Sequence, residues 1–201
     1  MRSSGEDRRL LRKHIIKAAS SLYRQRGIKA VTMDDVAHAL GISKRTLYEV
    51  FREKEELVID CMLLNHKEFL SAIEKFQKQS NNVLEATLNT LQYVMKQNVE
   101  TSVHFLEDAT IYPRVNELIQ KDRIHKHEAF LNYFSVGVKQ GLFIANLNYE
   151  IVVNVLIENI ALKEFPLNEV IETILMTFLR GVVTDKGRKI LDTFPKDFRR
   201  K

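Results

Sequence analysis

Residues 41–51 read GISKRTLYEVF. The stretch opens on a glycine, sets a hydroxyl at Ser43 where it can cap a helix, and follows it with two adjacent cations, Lys44 and Arg45. Leu47 and Phe51 stand one helical turn apart and point to a core, which turns the cations the other way. Just upstream, Thr32 precedes Met33, Asp34 and Asp35, a hydroxyl cap followed by acids that suit the positive end of a helix over Met33 to Leu40. Gly41 supplies the left-handed backbone of a tight turn. Two short helices joined by about three or four residues, with small Ala37 in the first and Leu47 in the angle of the second, have the spacing of a helix-turn-helix. Lys44 and Arg45 then lie at the N-terminal end of the helix that, in such motifs, enters the major groove.

Charge agrees with this placement. The 201-residue chain carries +5, yet residues 1–54 hold 13 Lys and Arg against 6 Asp and Glu, net +7, and the remainder holds 18 against 20, net −2. A basic first quarter on a nearly neutral body points to a polyanionic partner, a description that also fits RNA and membranes. Hydrophobic residues make up 45% and charged residues 28%, with three prolines and seven glycines, the composition of a helical globular protein. The sequence starts with a charged run rather than an apolar leader, and no apolar run approaches the roughly 20 residues that cross a bilayer. Cys61 is the single cysteine, so an internal disulfide is excluded and a reducing cytoplasm fits. It lies among Leu57, Val58 and Met62 and reads as a small core residue.

Helical periodicity runs the length of the chain. A first helix is predicted from Asp7 to Gln25, stopped by Gly27, and a long one from Lys54 until Ser80, Asn81 and Asn82 break it. Further helical faces cover Leu84 to Val99 and Val103 to Ile111. Pro113 reads as a break before a long helix from Val115 to Gln140, which Gly141 ends. Two apolar helices, Tyr149 to Leu162 and Leu167 to Val183, are separated at Pro166. The expectation is an all-α chain with a helix-turn-helix domain over 1–53 and a helical effector-binding and dimerisation domain over 54–201.

The run from Thr32 to Ala37, the run from Gly41 to Tyr48, Phe51, and Lys54 to Leu57 together resemble the N-terminal signature of TetR-type transcriptional regulators. The resemblance covers roughly residues 8–58. It implies a homodimer that sets two recognition helices in successive major grooves of a near-palindromic operator, dimerises through its last two helices, and is a repressor released by a small-molecule effector. It places Thr32, Tyr48 and Lys54 at phosphates, and Ser43, Lys44, Arg45 and Thr46 on the recognition helix. Arg45 is the expected specificity residue, because a guanidinium can donate two hydrogen bonds to a guanine edge. Val50 stands where the family often has Tyr or His, and Glu53 where a capping Ser, Asn or Asp is common.

The body is less explicit. Phe69, Met95, His104, Phe105, Tyr112, Phe130, Tyr133 and Phe134 are candidates for an apolar effector cavity with a few polar groups, suited to a neutral or lipophilic ligand. Each is also ordinary core material. Val152, Val155, Leu156, Ile171, Ile174, Leu175, Phe178 and Val182 offer more apolar surface than one buried stripe needs, which predicts a dimer interface. His125 and His127 sit two apart, on different helix faces, and are read as solvated rather than as metal ligands. No phosphate-binding glycine loop, nucleophile elbow or zinc-protease pair is visible, so neither an enzyme nor a cofactor is expected. The alternative function is the same fold acting through protein partners or nonspecific nucleoid binding.

Overall fold

The computed structural model describes residues 5–98, 105–159, 173–174 and 176–194. Ten helices are present among them: α1 (Gly5–Arg26), α2 (Met33–Ala39), α3 (Lys44–Val50), α4 (Lys54–Gln79), α5 (Val83–Asn98), α6 (Phe105–Thr110), α7 (Pro113–Lys139), α8 (Tyr149–Asn159), α9 (Met176–Val182) and α10 (Asp185–Thr193). The all-α expectation holds. Pro113 departs from its expected role: instead of breaking the chain before a helix it opens α7, in the first turn, where a missing N–H forfeits no intrahelical bond. α10 was not anticipated at all.

Contacts group the chain into two compact units, one drawn from residues 1–68 and 100–119, the other from 69–99 and 120–201. In the first, Ile15, Ala19 and Tyr23 of α1, Val36 of α2, Leu47 of α3 and Leu57 of α4 share one core with Phe105 and Ala109 of α6. The turn between α2 and α3 is fixed by Gly41 at φ 64°, where Gly41 N–H reaches the carbonyl of His38 and Ile42 N–H that of Ala37. This pair of hydrogen bonds closes the helix end only with a left-handed residue at Gly41, the natural place for glycine. Leu47, with no exposed surface, is the buried residue that α3 contributes.

The second unit packs around an aromatic group. Tyr133, Phe134 and Phe143 meet edge to face with centroids 5.1–5.2 Å apart, and Tyr149 stacks on Phe134 at 4.7 Å. Leu84, Leu88, Val153, Leu179 and Leu191 close this core from α5, α8, α9 and α10. The chain between α7 and α8 runs beside the end of α9, where Phe143 pairs with Val183 and Ile144 N–H donates to Val182 at 3.0 Å. A Cβ on Gly137 of α7 would overlap the buried ring of Phe143. Gly137→Ala is expected to lower stability by about 1–2 kcal/mol, the overpacking cost exceeding the gain in helix propensity, with a chemical-denaturation midpoint as the measurement.

Candidate nucleic-acid interface

α2 and α3 are short, so their ends carry much of their order. Thr32 makes a reciprocal cap: its Oγ1 accepts from Asp35 N–H at 3.1 Å, while Asp35 Oδ2 accepts from Thr32 N–H at 2.8 Å and from its hydroxyl at 2.6 Å. The hydroxyl bond, then the backbone bond, hold the Asp35 carboxyl below its usual range. Ser43 caps α3 in turn, accepting from Thr46 N–H at 3.0 Å and sharing a 2.7 Å bond with the Thr46 hydroxyl.

Lys44, Arg45, Tyr48 and Glu49 form the exposed side of α3. Lys44 Nζ lies 2.9 Å from Asp34 of α2, an exposed pair whose hydrogen bond and charge raise the lysine above its ordinary value. Arg45 is 89% exposed at its side chain and donates from Nε to Glu49 Oε1 at 3.0 Å. Tyr48 is 41% exposed. The structure thus brings Ser43, Lys44, Arg45, Thr46 and Tyr48 together on one short helix, with Thr32 at the head of the preceding one. Lys54 is differently engaged: its Nζ donates to the carbonyl of Ile28 and stands 5.9 Å from the ring of Tyr23. Burial pulls this ammonium below the usual lysine value, against the charges of Asp108 and Asp35.

Two arginines that the sequence reading passed over hold the other end of α3. Arg8 donates to the carbonyl of Glu49 at 2.7 Å, and Arg12 to that of Val50 at 3.1 Å. These are the last carbonyls of α3, left without helical partners and favouring positive charge. Arg12 also bonds Asp60 Oδ2 at 2.9 Å and Glu56 Oε1 at 3.1 Å, and its guanidinium lies 4.2 Å from the centre of the Phe51 ring. The acids that Arg12 bridges, Glu56 and Asp60, stand four apart on one face of α4. Where Glu53 stands in place of a capping hydroxyl, Glu56 reaches back to the N–H of Arg52 at 3.1 Å. The same unit takes two polar contacts from α6 and α7, with Asp108 accepting from Lys29 N–H at 2.7 Å and Glu55 from Arg114 N–H at 3.0 Å.

The expected effector residues fall into two cores. Phe105 and Tyr112 belong to the first, and Phe130, Tyr133 and Phe134 to the second; Phe69 is partly exposed on α4. His104 and the side chain of Met95 lie outside the described residues. An open cleft of about 390 Å³ lies among side chains of α7 and α8, including Arg123, Ile124, His127 and Asn154, and is lined by none of the expected residues. His127 lies 3.3 Å from Glu150. Of the expected dimer residues, Val155 is 48% exposed, Val152, Ile174 and Phe178 are partly buried, and Val182, at 6%, is packed inside the second core. Ile171, Leu175 and the side chain of Leu156 lie outside the described residues. No helix among the described residues is long and apolar enough to cross a membrane.

Residues 15–61 match the model of the bacterial regulatory proteins of the tetR family. The HTH-type transcriptional regulator YhgD of Bacillus subtilis is 29% identical over 136 residues, 65% of this chain and 69% of that protein. Two solved structures share the fold at lower identity. The ketosteroid transcriptional regulator KstR2 of Mycobacterium tuberculosis is 18% identical with a TM-score of 0.62 and coverages of 87% of this chain and 96% of its own. CprB of Streptomyces coelicolor, determined with its operator sequence, is 17% identical with a TM-score of 0.70 and coverages of 92% and 94%. The family binds DNA operators and small-molecule ligands and is not enzymatic. The capped helix-turn-helix within residues 15–61 is thus a domain of the tetR family of bacterial regulatory proteins, joined to a helical body that shares the fold of these solved regulators.

Proposed function

We propose that this protein acts in the cytoplasm as a homodimeric repressor, bound to a near-palindromic operator and released by a small-molecule effector. The observation that carries the DNA-reading part is the first turn of α3, where a capped helix presents Arg45 almost fully exposed. Arg45 reads a guanine in the major groove, with Ser43, Lys44 and Thr46 beside it on bases or backbone. Thr32, Tyr48 and Lys54 set register on phosphates. For Thr32 and Lys54 this means exchanging their bonds to Asp35 and Ile28 for phosphate oxygens on docking.

The dimer forms through α8 and α9. Ile151 and Val155, one turn apart on α8 and 61% and 48% exposed, support that reading, because paired exposed aliphatic residues gain by burial against a copy. The effector is neutral or lipophilic and enters among the aromatic residues of the body. It lowers operator affinity only if it binds the released state more tightly than the bound one. The kinship in fold with a ketosteroid regulator agrees with an apolar ligand.

Selection of bound sequences from random duplex DNA with the purified protein tests this. An inverted repeat is expected, and Arg45→Ala is expected to relax one symmetric base pair by about 1–3 kcal/mol per half-site at fixed salt. Enrichment of no sequence overturns the operator-reading proposal.

A further inference from the structure

We propose that Glu49 is a positioning residue for sequence discrimination: its carboxylate holds the Arg45 guanidinium by Nε and leaves the terminal NH1 and NH2 edge to meet the base. The inference rests on the reading of Arg45 as the base-contacting residue. Arg45 is too exposed for packing to orient it, and the bond that restrains it is the 3.0 Å contact with Glu49 one turn along α3. A guanidinium is a rigid planar fork, so fixing Nε also fixes the direction of its other two nitrogens. An arginine so restrained loses less freedom when it pairs with guanine.

Helix electrostatics argue that this pair is not there for stability. A cation in the first turn and an acid in the last are placed against the helix dipole, and an arginine preceding its acid is the less favourable order. α3 carries Lys44 and Arg45 in its first turn and Glu49 near its end. The C-terminal positive charge is supplied from outside, by Arg8 on the Glu49 carbonyl and Arg12 on that of Val50. Those two bonds anchor the backbone from which Glu49 reaches Arg45. A carboxylate on a surface that meets phosphates also lowers general affinity, a cost that is useful only if it improves discrimination.

The experiment uses the full-length protein, the duplex enriched by selection, all single base-pair variants of it, and a scrambled duplex at one salt concentration. Wild type, Glu49→Ala, Glu49→Gln, Arg45→Ala and the double alanine variant are titrated after circular dichroism has confirmed equal helicity. Glu49→Ala is expected to bind the scrambled duplex at least as tightly as wild type, because a negative charge has been removed. It is also expected to lose roughly tenfold discrimination at the same base pair that Arg45→Ala relaxes. Glu49→Gln, which keeps an acceptor, recovers part of the loss, and the double variant discriminates no worse than Arg45→Ala. Unchanged discrimination in Glu49→Ala, with Arg45→Ala relaxed, overturns the positioning role while leaving the Arg45 reading intact. Relaxation at a different base pair overturns it too, and makes Glu49 a direct reader of cytosine. If Arg45→Ala relaxes no base pair, the Arg45 reading fails and the positioning role fails with it.

Discussion

Gly187→Ala is expected to destabilise the second unit by about 2–3 kcal/mol, seen as a lower midpoint in chemical denaturation and as loss of amide protection around Leu191. Gly187 lies in the first turn of α10, where a Cβ would overlap the carbonyl oxygen of Leu142 and approach Val183 Cβ at 2.9 Å. A backbone oxygen cannot rotate away as a side chain can, so α10 itself must retreat. That retreat strains the bond from Thr184 N–H to the same carbonyl at 2.9 Å and loosens the burial of Leu191. The gain of roughly 1 kcal/mol from replacing a helical glycine offsets only part of this. Glycine is therefore required here for close approach and not for an unusual backbone angle.

The same residue explains why α10 was not legible. The predicted helix from Leu167 stops at Val183, and the hydroxyl, acid and glycine that follow at Thr184, Asp185 and Gly187 suit a turn as readily as a helix start. Thr184 is in fact a helix start, its Oγ1 accepting from Gly187 N–H at 3.3 Å. The choice between stop and start was settled by packing against Leu142, a contact across more than forty residues that local pattern does not carry. Thr32, Gly41 and Ser43, by contrast, were read correctly because each makes its decisive bond within five residues.

The second large effect is expected from Arg12→Met, a loss of about 2–3 kcal/mol in the first unit measured by denaturation. Methionine keeps most of the apolar stem over Phe51 but leaves Glu56 and Asp60 without their shared cation and the Val50 carbonyl without its donor. Breaking a fully buried pair costs more, but this one is about one-third exposed and partly screened by solvent. A pH titration of stability gives a second check. Burial raises the Glu56 carboxyl, but hydrogen bonds from Arg52 N–H and from Arg12 outweigh it and hold the group below its ordinary value of 4.5. A lowered folded-state value means that Glu56 contributes stability above its unfolded value and loses it as pH falls through the folded one. Wild type is therefore expected to lose stability on acidification more steeply than Arg12→Met, in which part of that lowering is gone.

Site legibility divides along the same line. The residues of α3 declared themselves through local chemistry, whereas the partners that hold the helix were hidden by distance. Arg8 and Arg12 bind backbone carbonyls of residues 49 and 50, and Lys54 binds that of Ile28. A carbonyl is the same at every position of a sequence, so such a bond leaves no mark on the acceptor side. Only Glu56 and Asp60, acids one turn apart on α4 that share Arg12, carried a readable pattern.

The core beneath α3 is sewn from two separate stretches of chain, since Phe105, Ala109 and Val115 are buried with it and Asp108 receives the N–H of Lys29. A reading head built this way is not an exchangeable cassette. Grafting residues 1–68 onto another regulator's body would carry over every side chain proposed to contact bases but only part of the floor they stand on, so recombination between relatives has to move both stretches together or find a body that already supplies a matching second one.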